Sequence, residues 1–491
     1  MKSFTSRQEI MEVLRARLRA TERYFWTLFV LGVVVIVFMQ MQLNHEEIIT
    51  TQKTLLYVTK PIKNKWVLMT GSTSCANHLK PSELIIEDGF FQVLQTSNGR
   101  FRLLQAFYDE RRFYKIQDLG VVKITGTIDK IDPEVQTFCQ LWFDDIEEPI
   151  VSQVKMYRLM WPKAWGIEPN GTPPYYIECN NPLAAYEKIP TSVSLVENAC
   201  DVASNILKIN FNPLKEFEEK KTFSVCTKSY FFKEDITMQL IEWIEILLIL
   251  GADKIFIAAM EIHPNMASML RHYNATGKVE VEMLPPPNDR ITVRQNGVFG
   301  FNHCLYRNMY KYSFVLILDV DEIVVPQKEE DKDLVDLLKR TIREKLRETR
   351  YVADAYTAHM VYFLLDNNHR HDVQPDAPKD FLFLQHVYRA ANYCEAGVGA
   401  KSFQNAETIE LPHNHFGLEC LGKKRWCDAA SIEIDDGKLH HYRITCNMSE
   451  ELCNDYRKNT VKDLTLWRFK NRIIENVQRT LKAIEVLKGI N

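Results

Sequence analysis

Short apolar strands alternate with helical segments between residues 222 and 318, and this alternation constrains the fold more than any other feature. Strands are predicted at Phe223–Lys228, Lys254–Ala259, Val279–Leu284 and Tyr312–Leu318, with helical spacing at Asp235–Leu250 between the first two. Parallel strands need such crossovers, whereas antiparallel strands can be joined by tight turns. The alternation therefore predicts an α/β fold with a parallel, Rossmann-like sheet.

Two carboxylates directly follow the last of these strands, in the sequence Asp319-Val320-Asp321-Glu322. Open α/β sheets bind ligands at the carboxyl ends of their strands. Mg²⁺ and Mn²⁺ prefer oxygen ligands, and such an ion neutralises a departing diphosphate. We predict that Asp321 binds a metal ion directly and that Asp319 binds it through water or holds a ribose. Glu322 is predicted to orient the loop.

A second Asp-x-Asp motif, Asp331-Lys332-Asp333, opens a predicted helix at Leu334–Leu338. Acidic side chains favour the positive end of a helix dipole, so we interpret this copy as structural. The first strand is followed by no Gly-x-Gly-x-x-Gly motif, which argues against a dinucleotide site.

An uncharged apolar segment covers residues 24–43, and six basic residues precede it. About 20 apolar residues span a bilayer core, and the excess of cations places the N-terminus in the cytoplasm. A cleaved signal peptide is the alternative, but the segment is long and lacks a small-x-small cleavage site. We therefore expect a cytoplasmic tail at 1–23, a transmembrane anchor at 24–43 and a lumenal body.

The lumenal part is expected to comprise a stem at 44–62, an accessory β-rich domain at 63–215 and a catalytic domain at 216–491. All 11 cysteines follow the apolar segment. In an oxidising lumen most of them would pair, and the odd number leaves at least one unpaired. The formal net charge of −3 lacks the basic excess of a nucleic-acid-binding protein.

Several motifs together resemble glycosyltransferase family 92. They are Phe223-Ser-Val-Cys-Thr-Lys228, Glu242-Trp-Ile-Glu245, Leu250-Gly-Ala-Asp-Lys-Ile255, Arg294-Gln-Asn296, Cys304-Leu-Tyr-Arg-Asn-Met-Tyr310, Leu318-Asp-Val-Asp-Glu322, Lys401-Ser402, His440-His-Tyr-Arg443 and, upstream, Gln105-Ala-Phe-Tyr-Asp-Glu-Arg111. The resemblance implies a GT-A fold and an inverting transferase of the Golgi membrane. It also implies UDP-galactose as donor, Mn²⁺ as cofactor, and a glycan or glycoprotein acceptor such as fucose on an N-glycan core.

Further side chains are candidates for the nucleotide and the metal. Thr227 and Lys228 end the first strand and would face the nucleotide, Glu261 would hold ribose hydroxyls, and Arg294 would pair with a phosphate. A GT-A metal often takes a third ligand from near the C-terminus, and His441 is our choice. Its rivals are His413, His415 and His440.

Inverting chemistry needs a base that deprotonates the acceptor hydroxyl on the side opposite the diphosphate. Glu395, in a glycine-containing loop, is the candidate base. Asp366, Asp372 and Asp380 remain alternatives.

One residue departs from the family pattern, because His303 stands where the family more often has Asp before the cysteine. This departure keeps open a lumenal glycan-binding or scaffold protein on a degenerate transferase fold. A phosphatase with an Asp-x-Asp nucleophile is a third reading. It fits less well, because Ile323 supplies no hydroxyl and three strands precede the motif.

Overall fold

The computed structural model describes residues 78, 91–130, 135–167, 171–286, 292–394, 397–422, 427–446 and 448–488, all within one compact unit. The predicted anchor at 24–43, the tail before it and the stem after it lie outside the described residues. Among the residues that are described, none of the helices is both long and apolar enough to cross a membrane.

The first sheet contains eight strands, and seven of them close into a barrel because β2 pairs with both β3 and β8. The strands are β1 (Gln92–Thr96), β2 (Gly99–Asp109), β3 (Val121–Ile128), β4 (Phe138–Phe143), β5 (Ile146–Leu159), β6 (Pro174–Asn180), β7 (Ser192–Val196) and β8 (Leu207–Asn210). Inward-facing residues such as Leu103, Ile124 and Ile177 are fully buried and form the barrel core. Closure leaves β1 as an extra strand on the outside of β2.

The second sheet contains ten strands. They are β9 (Lys221–Cys226), β10 (Tyr230–Phe232), β11 (Ile255–Ile262), β12 (Val279–Met283), β13 (Tyr312–Ile317), β14 (Glu322–Pro326), β15 (Ala355–Leu364), β17 (Lys401–Asn405), β20 (Ala429–Ser431) and β21 (Gly437–Arg443). Two small sheets pair β16 (Tyr388–Ala390) with β22 (Thr460–Lys462), and β18 (Ile409–Pro412) with β19 (Gly417–Cys420). Strands β9 to β13 run parallel, whereas β17 pairs antiparallel with both β13 and β15.

Helices cover both faces of this second sheet. They are α1 (Arg112–Lys115), α2 (Thr237–Ile249), α3 (Pro264–Ala275), α4 (Val293–Asn308), α5 (Leu334–Thr349), α6 (Leu382–Gln385), α7 (Glu450–Lys458) and α8 (Lys470–Lys488), with 3₁₀ turns at Lys163–Trp165, Ala184–Tyr186 and Thr465–Phe469. Helix α2 is buried on nearly all sides. Helix α5 begins at Asp333, whose carboxylate accepts hydrogen bonds from the Val335 and Asp336 amides, so this member of the second Asp-x-Asp motif caps a helix.

The predicted fold class, an α/β GT-A domain with a parallel Rossmann-like sheet, is wrong. The described chain is β-rich, with a closed seven-stranded barrel and a mixed second sheet. The predicted strand–helix alternation is present from β9 to β13, but beyond α5 the chain adds short strands with few helices between them. Without long crossovers such strands mostly join a sheet in the antiparallel sense, and β17 does so in the middle of this one.

Buried charges connect the barrel to the second sheet and its helices. Arg111, at the end of β2, pairs with Asp109 at 2.7 Å and donates to the carbonyl oxygens of Ala406 and Ile409. Lys123, on β3, contacts Glu410 at 2.8 Å and the Tyr306 hydroxyl at 3.0 Å. The side chains of Asp109, Arg111 and Lys123 are fully buried. Burial of a charge is costly unless it is paired, so this network fixes the barrel firmly in its place.

The disulfide prediction is confirmed for the described cysteines. Four bonds join Cys139 to Cys179, Cys226 to Cys304, Cys420 to Cys427 and Cys446 to Cys453. Cys394 is unpaired and buried.

Candidate active site

The predicted acid pair lies in the turn between β13 and β14, at the carboxyl edge of the parallel strands. The backbone leaves β13 at Leu318, whose amide donates to the Cys226 carbonyl at the end of β9. The amide of Glu322 then donates to the carbonyl oxygen of Asp319 at 3.0 Å, which closes the turn. Strands β13 and β14 are buried, whereas Asp319 and Asp321 in the turn between them are partly exposed at the edge of the sheet.

Strand register brings His441 beside this turn. Strand β14 pairs antiparallel with β21, and Glu322 stands opposite His441. The Nε2 atom of His441 lies 3.4 Å from the nearer carboxylate oxygen of Asp321, and the Tyr442 amide donates to the Asp321 carbonyl at 2.9 Å. The imidazole stacks on the Tyr362 ring, which holds its orientation. An Asp and a His that are 120 residues apart therefore share one site.

Asp319 is surrounded by cationic and phenolic groups. Lys228 lies 2.9 Å from its Oδ1, Lys401 lies 3.3 Å from its Oδ2, and the Tyr230 hydroxyl donates to Oδ1 at 2.7 Å. Burial alone would raise the pKa of Asp319, but the charges of Lys401 and Lys228 outweigh burial and hold the pKa well below its usual range. Asp319 therefore stays ionised at every physiological pH.

Lys401 is the fully buried centre of this network. Its ammonium group contacts Glu322 at 2.9 Å and Asn414 Oδ1 at 2.7 Å, in addition to Asp319. Burial raises the pKa of Glu322 and Lys401 opposes that rise, while the Glu322 carboxylate accepts a hydrogen bond from the Asp319 amide at 2.9 Å. One lysine thus neutralises two acids that the fold has withdrawn from water.

A cavity of about 470 Å³ opens in front of the turn. It is lined by Lys228, Tyr230, Phe231, Phe232, Lys233, Glu234, Ile236, Gln239, Asp319, Val320, Asp321, His441 and Arg443. Cations, acids and aromatic rings converge on this space, and its volume lies within the usual range for small-molecule sites, roughly 300–1,000 Å³.

Several predicted site residues lie elsewhere. The Thr227 hydroxyl accepts a hydrogen bond from the Ala258 amide inside the sheet. Glu261 and Arg294 are exposed and are absent from the cavity lining. The predicted base Glu395 lies outside the described residues. Asp319, Asp321, Lys228 and His441 are the predicted residues that the structure brings together.

The rival histidines do not line the cavity. His440 lies on the opposite face of β21 against Phe363, where burial lowers its pKa to about 4. His413 and His415 belong to the turn between β18 and β19, and the His415 Nδ1 bonds to the Ala400 carbonyl. Of the four histidines proposed as a third ligand, only His441 lines the cavity.

A profile of glycosyltransferase family 92 matches residues 221–482, more than half of the chain. The chain belongs to glycosyltransferase family 92. No curated protein matches it closely enough for comparison. The matched region contains Asp319, Asp321, Lys401 and His441, and it includes every residue that lines the cavity. Membership establishes a glycosyltransferase, with a nucleotide-sugar donor and a glycan acceptor.

Some of the side chains in this family 92 site could serve as ligands for a divalent metal. The Asp321 carboxylate is about a third exposed, and one of its oxygens and the His441 Nε2 face the cavity together. The carboxylate oxygen suits Mn²⁺, whereas an imidazole ligand is more typical of Zn²⁺ or Fe²⁺, so Asp321 fits Mn²⁺ better than His441 does. Asp319, by contrast, is already compensated by two lysines. Among the described residues, one group of three ligand atoms lies close together, Asp354 with Cys420 and Cys427, and those cysteines are joined to each other.

His303, the residue that departs from the family pattern, lies where α4 packs against the barrel. Its ring nitrogens lie 2.9 Å from the Thr125 hydroxyl and 3.0 Å from Glu282 Oε1, and the ring packs against Phe107 and Phe299. His303 is fully buried there and does not line the cavity. His303 therefore contributes to the packing of α4 against the barrel. Its presence is no longer a reason to expect a glycan-binding protein on a degenerate transferase fold.

Sequence reasoning gave no role to Tyr230, Lys401 or Arg443. Lys401 belongs to one of the motifs that resemble the family, Lys401-Ser402, but a lysine in a strand ordinarily points into water. Its burial follows from the pairing of β17 with β13, which places Lys401 beside the acid turn. That pairing is non-local, and nothing in the local sequence signals it.

Proposed function

We propose that this family 92 glycosyltransferase transfers galactose, with inversion, from UDP-galactose to a glycan acceptor such as fucose on an N-glycan core. We further propose that it uses Mn²⁺ and acts in the Golgi lumen. The disulfides support an oxidising compartment. The family resemblance supports the proposed donor, acceptor and metal, and the charges that line the cavity suit a diphosphate.

The observation that carries the proposal is the convergence of Asp321, His441, Lys228 and Arg443 on one cavity. A nucleoside diphosphate needs positive charge around its phosphates, and guanidinium and ammonium groups supply it. The aspartate and histidine provide ligands for the metal that accompanies the diphosphate. The aromatic rings of Tyr230 and Phe232, stacked with centroids 5.0 Å apart, offer an apolar wall.

Each side chain has a distinct task in this scheme. Asp321 and His441 would hold the metal, which when bound supplies charge to the leaving diphosphate. Asp319 stays ionised and holds Lys228 at the cavity wall. Glu322 fixes the turn through the Asp319 amide, so the ligands keep their positions as charge develops. The proton of the acceptor hydroxyl must go to a separate base, for which Glu395 stays a prediction.

The test is a donor screen with the full chain. UDP-galactose, UDP-glucose, UDP-N-acetylglucosamine and GDP-fucose are offered with a core-fucosylated N-glycopeptide, in Mn²⁺ and in chelator. We expect transfer from UDP-galactose that chelator abolishes and added Mn²⁺ restores. Undiminished turnover in chelator would contradict the metal, and preference for another nucleotide-sugar would contradict the donor. Calorimetry of UDP binding with and without Mn²⁺ tests the site independently of the acceptor.

A further inference from the structure

A row of aromatic rings extends from the barrel to the turn between β18 and β19. Trp161 and Trp165, at the end of β5, have ring centroids 5.1 Å apart. Trp165 lies 4.7 Å from the His413 ring, which lies 5.1 Å from Phe416. We call these four side chains the aromatic platform. The barrel contributes the two tryptophans, and the turn between β18 and β19 contributes His413 and Phe416.

Two of the four platform rings are exposed, and Trp161 and His413 are half-buried between and beside them. Trp165 is 40% exposed and Phe416 is 37% exposed. Single exposed apolar residues are common, but two exposed rings that are linked through a third, half-buried ring form a larger apolar surface, of the kind that marks a binding site. The indole of Trp161 donates to the Gly166 carbonyl at 2.9 Å, which closes the loop carrying Trp165. The rings are thus presented on a defined backbone.

The turn that carries His413 and Phe416 is fixed to the acid cluster. Between these residues, Asn414 accepts a hydrogen bond from Lys401 at 2.7 Å. Gln404 and Ser402 on β17 donate to the carbonyl oxygens of His413 and His415. The platform therefore stands next to the residues that hold Asp319, at a position set by β17.

The chemistry of the platform differs from that of the cavity. The cavity is lined by cations and acids as well as aromatic rings, which suits a nucleoside diphosphate, whereas the platform consists of rings alone. Burial lowers the pKa of His413 to about 3, so its ring is uncharged near neutral pH. Flat uncharged rings match the C–H faces of sugars, and the indole and phenyl surfaces lose little conformational entropy on contact.

We propose that the aromatic platform binds the acceptor glycan, so that the barrel supplies half of the acceptor site. This inference rests on the proposed function, because it takes the cavity to hold the donor. A sugar stacked on Trp165 and Phe416 would lie against the turn between β18 and β19, whose Asn414 contacts Lys401. The barrel is then part of the enzyme's acceptor specificity.

The test compares Trp165→Ala with Tyr186→Ala. Tyr186 is a matched control, because it is 44% exposed and also ends a 3₁₀ turn of the barrel. For Trp165→Ala we expect the KM for the core-fucosylated glycopeptide to rise about tenfold. The KM for the donor and the affinity for UDP with Mn²⁺ should stay within about twofold. Trp165→Phe should restore most of the acceptor affinity.

Direct binding gives a second readout that needs no turnover. Saturation-transfer NMR with the same glycopeptide should show contact to the wild-type chain, and this contact should be lost in Trp165→Ala and kept in Tyr186→Ala. The inference is overturned if the glycopeptide does not bind, if Trp165→Ala leaves binding and KM unchanged, or if both variants lose them equally. Failure of UDP to bind, with glycan binding at Trp165 intact, would instead overturn the proposed function.

Discussion

Replacement of Lys401 by methionine tests the electrostatic account of the acid turn. The change keeps the length and apolar contacts of the stem while it removes the one fully buried cation that faces Asp319 and Glu322. Breaking a buried pair costs roughly 3–5 kcal/mol, because the partner charges are left uncompensated. Asp319 retains Lys228, and Glu322 can take up a proton, so we expect the lower end, about 3 kcal/mol.

The assay is thermal unfolding followed by circular dichroism. About 3 kcal/mol corresponds to a fall in Tm of about 3–4 °C for a unit of this size. Lys401→Met combined with Glu322→Gln should recover part of that fall, because the amide needs no counter-charge. The control is Lys221→Met, which breaks an exposed pair with Asp253 and should cost less than about 1 kcal/mol.

Two results would refute this reasoning. One is a Tm of Lys401→Met equal to that of Lys221→Met, which would mean that the buried cation compensates nothing. The other is strict additivity of Lys401→Met and Glu322→Gln, since residues in contact are expected to couple.

Three further predictions concern metal, pH and the barrel interface. Asp321→Asn should weaken Mn²⁺-dependent UDP binding, measured by calorimetry, by roughly a hundredfold. The control is Asp333→Asn in the second motif, which keeps a helix cap and should leave UDP binding unchanged. Equal losses in both variants would contradict the assignment of Asp321 as a metal ligand. Burial lowers the pKa of His413 to about 3 and of His415 to about 4. The unfolded chain therefore binds more protons below pH 6.5, and stability should fall by about 2 kcal/mol from pH 7 to pH 5 after allowance for partial exposure. The double variant His413→Gln/His415→Gln should flatten the pH dependence of Tm, and an unchanged slope would count against it. His303→Ala should lower Tm by several degrees while the KM for UDP-galactose stays constant; a selective change in KM would place His303 in the site after all.

The local part of the fold could be predicted from sequence, and the non-local part could not. Apolar runs and helical spacing predict β9, β11, β12, β13 and α2 but not the short strand β10, because burial and periodicity leave their mark on neighbouring residues only where an element is long enough. The later strands are short and join by distant pairing, as when β17 enters between β13 and β15. No local pattern encodes such a partner, so the sheet was predicted to be parallel.

The candidate site divides in the same way. Asp319 and Asp321 stand out because acids after a buried strand are unusual, and His441 was selected by its motif. Lys401 reaches the site through the pairing of β17 with β13, and Tyr230 through the pairing of β10 with β11, and neither pairing gives a signal in the local sequence. Thr227 was assigned to the nucleotide from its position at a strand end, but its hydroxyl bonds to the Ala258 amide. A position at the end of a strand does not fix the direction of a side chain.

The charged contact between barrel and sheet has a consequence for dissecting this protein. Cutting the chain near residue 216 to isolate the matched region would remove Lys123 and Arg158 and leave Glu410 as an acid without its cations. The carbonyl oxygens of Ala406 and Ile409 would lose the guanidinium that satisfies them. The barrel thus supplies the cations that neutralise a buried acid in the rest of the enzyme. A fragment lacking the barrel should therefore misfold or precipitate, even though it retains every family motif from residue 221 onward.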